Sequence, residues 1–272
     1  MRTIGNCLGT GIVLVLLCFF SGGCARDQLA QNRDDSFLPY EQTRVGPTVL
    51  RGFLDACCSP LYRADGMIVT PSGSDFGTVS IRGNVFHLGV ATAIDRRGYF
   101  LTASHCLAKG PFKVIVSYEG QIGGATARVV WRGDVSKGQP DLALLDAAIP
   151  LEHVFDWSPD FTNGESIVVL GLAVLAPHKV QKQCLGGKIG GVANGSETAM
   201  PQYQTIALDA PLLREDNGGP VADLSGRLIA INISSAKRIP AGSSGTAQRP
   251  DLAWLKHLID EDAARPSAPK SH

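Results

Sequence analysis

Three short segments of this 272-residue chain invite comparison with the side chains that acyl transfer requires. His105 stands in LTASHC at 101–106, Asp141 opens the apolar run DLALL, and a glycine-rich segment, DNGGP, spans 216–220. Acyl transfer needs a nucleophile, an imidazole to take its proton, and a carboxylate to fix the imidazole's tautomer and stabilise its cation. A histidine alone is more often structural, and an aspartate before an apolar run is an ordinary strand start. Their appearance in one chain, in the order histidine, aspartate, glycine-rich loop, is far more specific. Within that loop Asn217 has no hydroxyl to deprotonate, and its amide nitrogen is a poor nucleophile because its lone pair is delocalised. Asn217-Gly218 also admits slow succinimide chemistry, read here as ordinary damage in a flexible loop. His87, His153, His178 and His257 lack carboxylate or cysteine company at useful spacing and read as surface or core residues.

The elements that must place these residues are short and β-like. Candidate strands are Thr78–Arg82, Phe86–Ile94, Tyr99–Thr102, Lys113–Tyr118, Ala125–Trp131 and Leu142–Asp146. A second set comprises Ser166–Val174, Val180–Ile189, Gln202–Leu208 and Arg227–Ile233. The break falls between Ile149-Pro150 and Asn163-Gly164, which predicts two packed β units rather than a parallel α/β sheet. Glycine, 31 of 272 residues, exceeds the usual share of about 7% and fits a turn-rich β protein better than a helix bundle. Leu252, Leu255, Leu258 and Ile259 recur at helical spacing behind Pro250-Asp251, giving one short C-terminal helix that packs onto the domain. Hydrophobic residues at 44% supply a sizeable core.

The ends of the chain read differently. Arg2, the apolar run from Leu8 to Phe20, and Ser21-Gly22-Gly23 before Cys24 have the layout of a signal peptide. Small residues before Cys24 also resemble a bacterial lipobox, which makes Cys24 a lipidation candidate. A single spanning helix over Ile4–Gly23 is a further reading, and simple secretion a third; all place the body outside the cytoplasm. Residues 25–48 form a polar tether, 49–262 the folded domain, and 263–272 a loose tail. Cys57, Cys58, Cys106 and Cys184 remain in the body, with three pairings open, or buried thiols instead. No histidine lies at ligand spacing near Cys57-Cys58, so neither metal nor cofactor is expected. Lys+Arg and Asp+Glu both total 25, which gives no basic excess for binding nucleic acid.

The three segments resemble those of the trypsin-like serine peptidases: LTASHC is similar to LTAAHC, DLALL to DIALL, and DNGGP to DSGGP. Residues 205–232, TIALDAPLLREDNGGPVADLSGRLIAIN, resemble the HtrA-like branch, with too few residues beyond for a PDZ domain. The resemblance spans about 75–235 and implies an all-β fold of two perpendicular six-stranded barrels, about 75–150 and 163–235, with the site between them. It implies His105 as general base, Asp141 as its orienter, and backbone N–H groups of Glu215 and Asn217 as the oxyanion hole. It also implies that Asn232, Ile233 and Ser234 line a polypeptide-binding cleft. Two departures stand out: Asn217 occupies the nucleophile's position, and Glu215 replaces a glycine. The family uses Cys106 in a disulfide with the preceding strand, where this chain has Gly89 and Val90. Pro211 stands where the trypsin subgroup has its specificity aspartate. Ser104, Ser234 and Ser235 are weak replacements for the nucleophile. The expectation is an extracytoplasmic peptidase homologue, held at the membrane by its N-terminus, that binds polypeptide without cleaving it. An endopeptidase with an unorthodox site and a structural envelope lipoprotein are the alternatives.

Overall fold

The computed structural model describes residues 58–71, 78–107, 110–118, 121–176, 179–195, 201–210, 212, 214–233 and 245–265. The leader with Cys24, the polar stretch 25–48, Cys57, His178, Pro211, Ser234, Ser235 and residues 266–272 lie outside the described residues.

In chain order the first strands are β1 (Cys58–Pro71), β2 (Thr78–Asp95), β3 (Tyr99–Ala103), β4 (Phe112–Tyr118), β5 (Gln121–Arg132) and β6 (Leu142–Asp146). They are followed by β7 (Ser166–Ala176), β8 (Lys179–Asn194), β9 (Tyr203–Asp209), β10 (Pro220–Asp223), β11 (Leu228–Asn232) and β12 (Gly245–Pro250). One α-helix, α1 (Leu252–Ala263), ends the described chain. The hydrogen-bonded order β1-β4-β5-β6-β3-β2 returns on itself where β1 pairs β2, forming a six-stranded ring. The second set runs β8-β7-β10-β11-β12-β9, and β8 pairs β9 to complete it. Thr78–Ser80 of β2 pair with Lys179–Gln181 of β8 and join the two. This is the expected all-β double barrel with a short C-terminal helix.

Side-chain alternation explains how the second barrel packs. Successive residues of a strand face opposite sides, and in β7 Ile167 and Val169 enter the second barrel's own core. Val168 and Leu170, facing the other way, join a second cluster with Leu101, Leu144 and Phe155 of the first half. β10 divides likewise, Val221 inward and Ala222 outward. Both faces of this sheet are therefore buried, which is why SIVVL and LIAIN read as continuous apolar runs rather than half-polar strands.

Helix α1 is fastened at both ends. The Asp251 carboxylate accepts the Trp254 backbone N–H at 2.8 Å as an N-cap. Leu255 and Ile259 face the core, and Trp254 meets Trp131 edge to face with centroids 4.9 Å apart. In the last turn Asp262, its side chain only 2% exposed, accepts from Arg128 and from the Tyr99 hydroxyl. The sequence pattern foresaw the helix but not these polar ties.

Candidate active site

Register brings His105 and Asp141 together. β3 and β6 pair antiparallel with Ala103 opposite Leu142, so the residues just beyond the ladder, Ser104-His105 and Asp141, meet at its end. Residues 104–106 turn into one turn of 3-10 helix, and the Ser104 N–H donates to the Asp141 carbonyl at 3.0 Å. Ser104 is buried, with its hydroxyl donating to the Gly133 carbonyl at 2.8 Å; it is a packed structural residue here. The two Asp141 carboxylate oxygens divide the work. Oδ1 accepts the His105 backbone N–H at 2.9 Å, and Oδ2 lies 2.7 Å from ring Nδ1. That fixes ring orientation and places a proton on Nδ1, leaving Nε2 for chemistry. The Asp141 backbone N–H donates in turn to Gln248 Oε1 of β12, 2.6 Å away.

Asn217 faces the free nitrogen. Its Nδ2 stands 2.9 Å from His105 Nε2, the place where a triad holds its nucleophile. The loop carrying it is fixed by backbone bonds to both halves. The Val90 N–H of β2 donates to the Asn217 carbonyl at 2.8 Å, and the Thr92 hydroxyl donates to the Gly218 carbonyl at 2.8 Å. The Gly218 N–H donates to the Asn232 carbonyl of β11 at 2.7 Å. Gly218 has φ +87°, and a Cβ there would collide with the Val90 carbonyl and the Thr102 hydroxyl, so only glycine fits. Both the Gly218 nitrogen and the Asn217 carbonyl are committed to these bonds, which holds off the succinimide chemistry of an Asn-Gly pair.

The electrostatics favour a charged ring. The Asp141 carboxylate, and next the Cys106 sulfur, hold a proton on His105 against the opposing effect of burial, pushing its pKa up to about 10. A charged ring donates from Nε2, whereas the Asn217 Nδ2 contact requires Nε2 to accept. Turning the carboxamide about, an assignment heavy-atom positions leave free, resolves the conflict. Oδ1, buried and otherwise without a partner among the described residues, then accepts from Nε2–H. One heavy-atom arrangement thus serves both protonation states.

The remaining expected residues fall as follows. Arg214–Asp216 form a 3-10 turn with Glu215 exposed and Asp216 fully buried. Asn232 is fully buried and turned toward the same loop: its N–H donates to the Gly219 carbonyl and its Nδ2 to the Asp216 carbonyl. Ile233 is buried, its N–H donating to the Thr246 carbonyl. Cys106 is a free, buried thiol, its Sγ 3.7 Å from His105 Nε2. A surface cavity of about 240 Å³ between Asn194, Tyr203 and Asp251 contains none of these groups. Among the described residues no three His, Cys, Asp or Glu side chains converge to hold a metal ion.

The model of a family described as trypsin-like peptidase domain matches residues 89–231, just over half of the chain. The chain belongs to that family. The matched span begins at Gly89, just before the Val90 contact to the Asn217 loop, and ends in β11, so it holds His105, Asp141 and the Asn217 loop, with Asn232 and Gln248 beyond it. Solved structures agree on the fold. An HtrA-type protease AlgW, solved with a decapeptide, is 19% identical, with 80% of this chain and 67% of that one covered, at a TM-score of 0.55. The MamO protease domain from Magnetospirillum magneticum is 20% identical, with 76% and 98% covered, at a TM-score of 0.52. No curated protein sequence matches the chain.

Sequence reading missed Gln248 and Thr92. Gln248 lies in GTAQRP, a polar stretch with no alternation, and only its pairing with β9 and β11 buries it. Thr92 gives one signal, a hydroxyl at an inward strand position, and a buried hydroxyl needs a partner.

Proposed function

We propose that this trypsin-like peptidase homologue binds an extended polypeptide without hydrolysing it, from an extracytoplasmic position set by its N-terminal leader. The observation that carries the reading is the Asn217 carboxamide 2.9 Å from His105 Nε2, where acyl transfer needs an ionisable oxygen or sulfur. The imidazole and its orienter are built, the loop is held in place, and the attacking group is missing. Binding by β-augmentation uses backbone groups of a strand edge and does not require the nucleophile. The HtrA-type neighbour solved with a decapeptide supports a peptide as the ligand class. The leader, with small residues before Cys24, supports attachment to a membrane by a lipid or a spanning helix.

The test uses the full chain in detergent and a fluorescein-labelled unfolded casein. Fluorescence anisotropy should rise to saturation with protein, while the dequenching that reports cleavage stays at the no-protein level. Turnover that disappears in His105→Ala would establish an unorthodox peptidase instead. Absence of saturable binding would leave the structural envelope role. Loss of labelled palmitate incorporation in Cys24→Ser would separate lipidation from a spanning helix.

A further inference from the structure

The position of Cys106 relative to the triad is not used by peptide binding, and it has chemistry of its own. The thiol is free and 7% exposed. Its Sγ lies 3.7 Å from His105 Nε2 and 4.0 Å from the Asn217 carbonyl. Because Asp141 holds Nδ1, Nε2 is the ring nitrogen able to exchange a proton with the sulfur. Sulfur, imidazole and carboxylate therefore stand in the relation that activates a cysteine nucleophile. Gly89 explains why the sulfur has room: at φ +152°, a Cβ there would approach Sγ to 3.1 Å and the Asn217 carbonyl to 2.5 Å.

A second observation points the same way. In the arrangement in which Nε2 accepts from Asn217 Nδ2, Asn217, 2% exposed, keeps its Oδ1 buried with no partner among the described residues. An unpaired buried acceptor is costly, and a hydroxyl donor formed beside this carboxamide would relieve it.

We propose that Cys106 is a modification site, a thiol that His105 activates toward hydroperoxides and that is converted to a sulfenic acid beneath the triad. The sulfur attacks one peroxide oxygen, forming the S–O bond as the O–O bond breaks. The proton that the sulfur has given up to His105 Nε2 passes to the departing hydroxide, which leaves as water. Sulfur is oxidised by two electrons and the peroxide reduced by two, so thiol and hydrogen peroxide give sulfenic acid and water. The new hydroxyl has His105 Nε2, left without its proton, as an acceptor. The burial of the sulfur between the Gly89 backbone and the Asn217 carbonyl favours a small oxidant over a peptide carbonyl as its reaction partner. The His105 side chain, 37% exposed, is the solvent-facing cover over it.

Cys184, buried at 4% exposed and not part of the His105–Asp141 pair, is the internal control. The reduced full chain is treated with limiting hydrogen peroxide and dimedone, then digested and mapped by mass spectrometry. The Cys106 peptide should gain the adduct at least about tenfold faster than the Cys184 peptide, within the span general base assistance provides. That advantage should vanish when the chain is denatured in guanidinium before treatment. In His105→Ala the Cys106 rate should fall about tenfold or more, with Cys184 unchanged. Equal rates at the two cysteines in the native chain would overturn the proposal without recourse to any variant. So would a Cys106 rate indifferent to His105→Ala.

Discussion

Restoring an oxygen nucleophile in Asn217→Ser is the sharpest perturbation of this site. Serine keeps Cβ in place, and its Oγ lies about one bond length, ~1.3 Å, short of where Asn217 Nδ2 now stands 2.9 Å from His105 Nε2. The ring must close by no more than that, and such contacts are commonly loose before substrate binds. In a convergent hydrolase, loss of the nucleophile costs on the order of 10⁶ in kcat, about 8 kcal/mol. Loss of one oxyanion donor costs about 10²–10³. Asn217→Ser should therefore recover covalent chemistry but remain about 10²–10³ below a complete site, because Glu215 stays in the 3-10 turn beside it. Asn217→Ser/Glu215→Gly should recover the rest. A fluorophosphonate probe reads this directly, with wild type unlabelled, the single variant slowly labelled, the double variant quickly, and His105→Ala abolishing both. If neither variant is labelled while both melt like wild type, the pairing of a competent base with an empty nucleophile position is refuted.

Three other outcomes follow from the geometry. By NMR the His105 ring should titrate near 10, and near its usual value of about 6.5 in Asp141→Asn; wild-type titration near 6.5 contradicts the pairing. Since the folded value is raised, its contribution to stability is complete below about pH 6.5 and is lost as pH rises through about 10. Asp262→Asn should cost about 1–3 kcal/mol, less than the ~3–5 kcal/mol of a fully buried pair because Arg128 is half exposed. The Arg128 guanidinium, assisted by Tyr99, holds the Asp262 carboxyl below the usual range, so its contribution is present above about pH 4 and lost as pH falls through the folded value. The melting-temperature gap between variant and wild type should accordingly narrow in acid. Gly218→Ala, at φ +87° against the Val90 carbonyl, should lower the denaturant midpoint by at least ~1 kcal/mol equivalent; an unchanged midpoint would mean that the loop is not held as described.

The fold was legible where burial is two-sided or alternating. Ser166–Val174 and Arg227–Ile233 announce themselves as apolar runs, and β7 and β11 occupy them with small shifts of boundary. β10, four residues opened by Pro220, was not foreseen, and neither were β1 and β12. Their sequences, CSPLYRADGMIVTP and GTAQRP, carry proline, glycine and charge at positions that local propensity assigns to turns. β12 is a strand because β9 and β11 supply its ladder, and the buried guanidinium of Arg249 is accommodated by the Ile229 and Ser158 carbonyls and the Trp157 and Phe161 rings. None of those partners is local, so no window of sequence around Arg249 contains the signal. The same holds at the site: His105 and Asp141 were recognisable by motif, whereas Gln248 and the Cys106 contact depend on strands and turns that meet only after folding.

The loop at 216–219 does two jobs that sequence cannot distinguish. As chemistry it presents a side chain to His105; as architecture it joins the barrels. Asn217 and Gly218 receive hydrogen bonds from Val90 and Thr92 of β2, Gly218 donates to Asn232 of β11, and Gly219 receives from Asn232. All but one of these bonds run between backbone groups, and the exception uses the Thr92 hydroxyl; none involves the Asn217 side chain. Replacing a nucleophile by Asn217 therefore removes the attacking atom while leaving every contact that fixes the loop. Removing Gly218 would do the reverse, since its positive φ and the Val90 carbonyl exclude any side chain whatever the chemistry. Two substitutions one residue apart are thus predicted to act on separate quantities. Asn217→Ser should change reactivity at constant stability, and Gly218→Ala should change stability first and the site only as a consequence. If Asn217→Ser destabilised the chain as much as Gly218→Ala, the carboxamide would have to be a structural tie, and its proposed role as a silent stand-in for the nucleophile would fail.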